Sequence, residues 1–308
     1  MEAIEDRAYG ALLGVFVADA FAAQTEFERE KTIARQHPHG LRNMDERPRH
    51  IGEAGMVTDD SEMAIMLARS IIESGGVESS DVRRGYVRWL DAGPSDIGIT
   101  ISQALRTGVL NPESQANGAL MRVAPIGIAG AVLDEATILA YSDRDCAITH
   151  SHPVCRDANR LWALAIAKTV RDGLSREEVY EYLSEIAPRV TREQILLDTI
   201  QKAKREGPLS CDGWNQGWVV LAFHLALHTL LSAECFEEGV VAITMRGGDA
   251  DTNAAIYGAL AGAVEGSLSI PRRWVESLRP TRCLEDLLGA ESRDLPQLGL
   301  KLVKGLLA

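Results

Sequence analysis

Apolar positions along the chain recur mainly at three- and four-residue steps, the period of one buried helix face. After Thr58, residues Met63, Met66, Leu67 and Ile71 form one such stripe. Leu161 to Val170 is rich in Ala, Leu and Ile and predicts a helix with a start near Asp157. Trp218 to Leu231 predicts another, long and apolar. Ala255, Gly258, Ala259, Gly262 and Ala263 make a stripe of small side chains, which lets a second helix approach closely in a core. Alternating strand patterns are scarce. Gly75-Gly76, Gly93-Pro94, Asn111-Pro112, Gly207-Pro208 and Ile270-Pro271 punctuate the chain at helix-length intervals. The pattern predicts an all-α fold, one compact helical domain over residues 1–308. The least helical stretch, Glu28 to Gly55, carries Pro38, Pro48 and several charges and reads as a mobile surface loop ahead of Thr58.

Composition narrows the class without naming an activity. The chain has 308 residues, 46% hydrophobic and 25% charged, an ordinary soluble globular balance. No apolar run reads as reaching the ~20 residues that span a bilayer, and the charged start is unlike a signal peptide. A formal net charge of -12 speaks against nucleic-acid and anionic-membrane partners. It leaves a phosphorylated small ligand open, since local donors decide that. Cys146, Cys155, Cys211, Cys235 and Cys283 are odd in number and form no C-x-x-C pair, as expected of reduced thiols in the cytoplasm.

Two acidic motifs change the picture. Thr58-Asp59-Asp60-Ser61 stands before the first stripe, where Thr58 or Asp59 is a natural N-cap and acidic residues suit the positive helix end. Gly247-Gly248-Asp249-Ala250-Asp251-Thr252-Asn253 has the same form ahead of the small-residue stripe. Hard divalent cations take oxygen ligands, about six each for Mg²⁺ or Mn²⁺ with waters included. Four aspartates and two threonines at two helix starts could hold two such ions. An EF-hand reading of D-A-D-T-N fails, because Ala254 stands where the loop needs glycine and Leu260 where it needs glutamate. Asp19 and Glu26 interrupt an apolar stretch near the N-terminus and fit structural or functional roles equally. His224 and His228 share a helix face but lack the glutamate of the zinc motif H-E-x-x-H, since Leu225 follows the first. Arg122 suits either a diphosphate or a core carboxylate, and His152 either a ligand or a loop.

Taken together, Asp19 through Glu26-Phe27, T-D-D-S-E-M-A, N-G-A-L-M-R-V-A-P, T-H-S-H-P-V-C and M-R-G-G-D-A-D-T-N-A-A-I resemble the ADP-ribosylglycohydrolases, in order and over roughly residues 8 to 280. The group includes the bacterial hydrolase acting on ADP-ribosylated dinitrogenase reductase. The resemblance implies an all-helical fold with two Mg²⁺ or Mn²⁺ ions in a cleft. Position by position it implies Thr58, Asp59, Asp60, Asp249, Asp251 and Thr252 as metal ligands and Glu26 as the mobile catalytic glutamate. It implies Asn117 and Gly118 at the loop that holds substrate phosphates, and His150 lining the ADP-ribose site. Ala18, Ser61 and Ala250 depart from the usual residues without removing a ligand. The expected activity is metal-dependent cleavage of the bond between the distal ribose of ADP-ribose and a protein side chain, with arginine the expected linkage. A small or nucleobase-linked ADP-ribose conjugate is the alternative substrate, and a non-catalytic ADP-ribose-binding protein the alternative class. Glu26 could act on the attacking water or on the leaving group.

Overall fold

The computed structural model describes residues 1–45 and 52–308. Helices appear where the stripes predict them. The chain runs through α1 (Ala3–Ala22), α2 (Glu30–Gln36), α3 (Asp59–Ser74), α4 (Ser79–Asp91), α5 (Ile99–Thr107) and α6 (Ala124–Ala129). It continues through α7 (Glu135–Cys146), α8 (Pro153–Asp172), α9 (Arg176–Val190), α10 (Gln194–Arg205) and α11 (Val219–Ser232). It ends with α12 (Phe236–Thr244), α13 (Ala250–Glu265), α14 (Arg272–Ser277), α15 (Arg282–Leu288) and α16 (Leu295–Leu306). Among the described residues there is no sheet, only three isolated bridges. The fold is all-α, and one continuous apolar core joins α1, α3, α6, α8, α11 and α13.

The start near Asp157 moves back to Pro153, because proline is favoured in the first turn and His152 caps it by accepting from Val154 N–H at 3.2 Å. That contact assigns His152 a structural role. The stretch read as a loop from Glu28 contains α2, which seats Ile33 in the core, and Leu41 and Met44 are buried as well. Pro48 of that stretch lies outside the described residues. His224 is buried in α11 and its ring stacks on that of His228.

The expectation about apolar length needs correcting. Ala3 to Thr25 is long and apolar enough to cross a bilayer, but 94% of its most apolar window is buried within the protein. Its surface is taken up chiefly by α13, with α16, α8 and α12 around it. The small-residue stripe of α13 makes this possible. Gly10 faces Gly262 and Gly14 faces Gly258, so the helices run antiparallel. A Cβ on Gly14 would stand 2.1 Å from the Gly258 carbonyl oxygen, and one on Gly10 2.2 Å from that of Gly262. Neither position admits a side chain without the two backbones moving apart.

Gly14→Ala should therefore destabilise the fold by about 1–3 kcal/mol or more, the scale of overpacking in a core. Gly207→Ala, where an added Cβ meets nothing within 4 Å, should stay within about 0.5 kcal/mol of wild type. Chemical denaturation of the two variants checks both, and equal stability would remove the backbone crossing as a constraint.

Candidate active site

The antiparallel crossing delivers the C-terminal end of α1 to the N-terminus of α13. Asp19, near the end of α1, reaches across to the start of α3. Its carboxylate accepts from Thr58 N–H at 3.0 Å, from Ser61 N–H at 3.2 Å and from the Ser61 hydroxyl. Asp19 thus holds the T-D-D motif in place. Thr58 is the N-cap of α3, and its hydroxyl donates to Asp60 Oδ2 at 2.9 Å. The Thr252 hydroxyl of α13 donates to the same oxygen at 3.4 Å, so the two acidic motifs meet at Asp60.

Carboxylate oxygens of Asp19, Asp60 and Asp251 lie within 4.8 Å of one another, as do those of Glu26, Asp249 and Asp251. Asp251 belongs to both sets. Glu26 arrives by a strap after α1: Phe27 N–H donates to Gly248 O at 2.6 Å, and Gly248 N–H to Glu28 O at 2.9 Å. Gly247 and Gly248 both have left-handed backbones, φ 63° and 64°. A Cβ on Gly247 would stand 2.1 Å from Glu28 O and one on Gly248 2.4 Å from Cys211 O. The glycine pair is thus needed twice over, for its backbone angles and for the close strap.

A cavity of about 380 Å³ opens beside these carboxylates. Glu26, Asp59, Asp249 and Thr252 form its acidic side, and Asn117, Gly118 and His150 stand on its wall. Thr58, Asp60 and Asp251 lie behind that surface, buried. Asn117 Nδ2 donates to Asp249 Oδ2 at 2.7 Å and so links the loop to the acidic cluster. Gly118 has no room for a side chain, since a Cβ would stand 2.8 Å from Ile101 Cδ1 and 3.4 Å from His150 Cε1. Asp96 and Trp214 also line the cavity and escaped the sequence reading, and Phe27, read only as part of the motif with Glu26, lines it too. Asp96 stands just ahead of the α5 start, and a lone acid before a helix start is too common to single out. Arg122, read as either a diphosphate partner or a core residue, is the latter: it pairs with Asp145 at 3.1 Å, fully buried.

With this geometry in view, likeness to known proteins becomes specific. The family model for ADP-ribosylglycohydrolases matches residues 1–300. The chain belongs to the ADP-ribosylglycohydrolase family. It is similar to the ADP-ribosyl-[dinitrogen reductase] glycohydrolase of Rhodospirillum rubrum, at 29% identity over 89% of this chain and 91% of that one. It is also similar to the ADP-ribosylarginine hydrolase Tri1 of Serratia proteamaculans (strain 568), at 27% identity over 89% and 75%. A solved structure, an ADP-ribosylglycohydrolase-related protein complex, superposes with a TM-score of 0.81 at 26% identity and full coverage of both chains. The protein is an ADP-ribosyl glycohydrolase, a hydrolase of a glycosidic bond.

Electrostatics of this ADP-ribosylglycohydrolase site are one-sided. Burial, with the charges of Asp96, Asp249, Asp59 and Asp19, pushes the Glu26 carboxyl up to about 9. Burial pushes Asp19 up to about 6 despite its hydrogen bonds to Ser61 and Thr58. Burial and neighbouring carboxylates hold Asp59, Asp60 and Asp251 well above the usual range. The largest charges acting on Asp251, those of Glu26, Asp60, Asp249 and Asp96, are all carboxylates. Asp60 Oδ1 and Glu26 Oε2 are buried without a hydrogen-bond partner among the described residues. Orphaned buried oxygens among crowded carboxylates are the donor set of a hard divalent cation, so the residues fit the ions the family is generally expected to hold.

The sign of the pH dependence follows. An acid whose folded value is raised destabilises the fold as it ionises, so stability is lost as pH rises from the unfolded value through the folded one. From Asp19 and Glu26 the window runs from about pH 4 to about 9. In chelator, the melting temperature should fall across that window. Saturating Mg²⁺ or Mn²⁺ should restore it, by an increment that grows with pH. A melting temperature indifferent to both ions at pH 8 would remove the metal reading.

Proposed function

We propose that this glycohydrolase is metal-dependent and releases ADP-ribose from modified arginine side chains of proteins. The observation that carries the reading is the meeting of Glu26 with Asp249 and Asp251 beside the cavity. The Serratia relative, named as an ADP-ribosylarginine hydrolase, supports the linkage. Two Mg²⁺ or Mn²⁺ ions would be held by Asp59, Asp60, Asp249 and Asp251 with the hydroxyls of Thr58 and Thr252. Bound there, they would polarise ribose hydroxyls and acidify a water.

The chain's own groups do the rest. Gly118 and His150, on the cavity wall, hold the diphosphate and ribose oxygens by hydrogen bonds, with no cationic patch. Asn117 holds Asp249 and keeps the loop against the acidic side. Glu26 handles the proton as the anomeric carbon passes through an oxocarbenium-like state, taking it from water or giving it to the leaving nitrogen. Asp96 adds negative charge on the cavity surface, which suits a cationic guanidinium leaving group. We place the reaction in the cytoplasm, where the five unpaired cysteines stay reduced.

Glu26→Gln keeps size and polarity and removes the carboxylate. Turnover should fall at least about 100-fold, the scale of a lost acid/base group. ADP-ribose affinity by calorimetry should change far less, and unchanged turnover would take Glu26 out of the chemistry.

Linkage has its own test. Two peptides of identical flanking sequence, one modified on arginine and one on serine, should give a higher kcat/KM on arginine. Equal or faster serine release would overturn the arginine assignment alone. Release only from small or base-linked ADP-ribose would replace the protein substrate and leave the hydrolase reading standing.

A further inference from the structure

Behind the substrate wall lies a buried polar chain that the hydrolytic reading does not use. Arg122, fully buried, donates from Nη1 to Gly118 O at 3.0 Å, from Nη2 to Asp145 O at 3.2 Å, and from Nη2 to Thr149 Oγ1 at 2.9 Å. Its Nε donates to Asp145 Oδ2 at 3.1 Å, and the Tyr86 hydroxyl donates to Asp145 Oδ1 at 2.7 Å. Thr149 Oγ1 lies 2.8 Å from His150 Nδ1. His150 Nε2 is buried without a partner among the described residues, and His150 lines the cavity.

Hydrogen counting fixes the direction of this chain. A guanidinium only donates, so Thr149 Oγ1 accepts from Arg122. The hydroxyl of this buried threonine has one hydrogen, and its other contact is His150 Nδ1. Were Nδ1 to carry the proton and donate, the threonine hydrogen would be left buried with no acceptor, an arrangement that is strongly disfavoured. Nδ1 therefore accepts, and the ring proton sits on Nε2.

We propose that Arg122 and Thr149 are positioning residues that lock the His150 ring in the tautomer with its proton on Nε2, giving the cavity one fixed N–H donor. Its ligand is an acceptor oxygen of the substrate, on a phosphate or on the distal ribose. In naming that ligand the inference rests on the ADP-ribose reading. Burial and the charge of Arg122 push His150 down to about 3, so the ring stays neutral and donates a hydrogen bond without transferring a proton. The same guanidinium fixes the Gly118 carbonyl, so one buried cation sets two neighbouring parts of the wall. This also accounts for burying an ion pair between Arg122 and Asp145, which stabilises little by itself and orients a great deal.

The test compares wild type, Thr149→Val, which removes the hydroxyl at constant shape, and Thr149→Ser, which keeps it. Long-range ¹H–¹⁵N correlation of ¹⁵N-histidine protein in Mg²⁺, with His150 assigned from a His150→Asn variant, reads the tautomer without any ligand. Wild type and Thr149→Ser should show the proton on Nε2, and Thr149→Val should lose that preference. ADP-ribose affinity by calorimetry should weaken about tenfold in Thr149→Val, the worth of one misplaced hydrogen bond, and recover in Thr149→Ser. Equal weakening for ADP assigns the acceptor to a phosphate; weakening for ADP-ribose alone assigns it to the distal ribose. A proton on Nδ1 in wild type, or a Thr149→Val protein with wild-type tautomer and affinity, overturns the lock. Failure of wild type to bind ADP-ribose would sink the substrate reading, while the spectrum still decides the tautomer.

Discussion

The backbone-to-backbone crossing of α1 and α13 is the constraint on which the site depends. With glycines facing each other at 10 and 262 and at 14 and 258, the helix axes come closer than side chains would allow. Their antiparallel register fixes what meets at one end. Asp19 and the Glu26 strap come from the end of α1, and Asp249 and Asp251 from the start of α13. A wider crossing would separate these carboxylates by the width of a side chain, too far for atoms now within 4.8 Å to share a cation. Core packing and catalytic geometry are one specification here.

That convergence carries an electrostatic cost which the fold offsets in two ways. The first is the positive ends of α3 and α13, which favour carboxylates in their first turns, with Asp19 accepting from backbone N–H groups at the start of α3. Helix ends alone are too weak to ionise a cluster this crowded, since such interactions are worth at most ~2 kcal/mol each. The second, on the metal-dependent reading proposed above, would be a bound cation of high charge density. Elsewhere on the cavity wall the opposite solution holds: Gly118 and His150 are uncharged, and a buried cation behind them, Arg122, is consumed by Asp145. On the proposed reading, a protein of net charge -12 would hold a diphosphate this way without a basic surface.

Legibility in the sequence followed local patterning. α3 declares itself by the spacing of Met63, Met66, Leu67 and Ile71, and the two acid motifs stand out because each gathers its oxygens within a few residues. α1 is buried on nearly every side past its first turn, so it has no polar face to mark a period. α2 puts a single apolar residue, Ile33, into the core, which is too few to form a stripe. Asp96 joins the site only through the fold, as a lone acid on a short link between α4 and α5. Arg122 and His152 were ambiguous because such polar side chains serve ligands, core carboxylates and helix ends alike. Burial and partners, invisible in one dimension, decide between them.

The strap that carries Glu26 shows how the two motifs act on each other. Phe27 is the one non-glycine residue with a left-handed backbone among the described residues, φ 58°. Such a conformation costs an aromatic residue on the order of 1–2 kcal/mol and persists only where neighbours enforce it. The enforcement is the pairing of Phe27 N–H with Gly248 O and of Gly248 N–H with Glu28 O. The geometry of the glycine pair therefore sets where the Glu26 carboxylate stands. One residue later, the same chain begins the aspartates that face it. Two motifs some 220 residues apart in sequence are joined by two hydrogen bonds, and the Glu26 carboxylate cannot shift without straining the turn that presents Asp249 and Asp251.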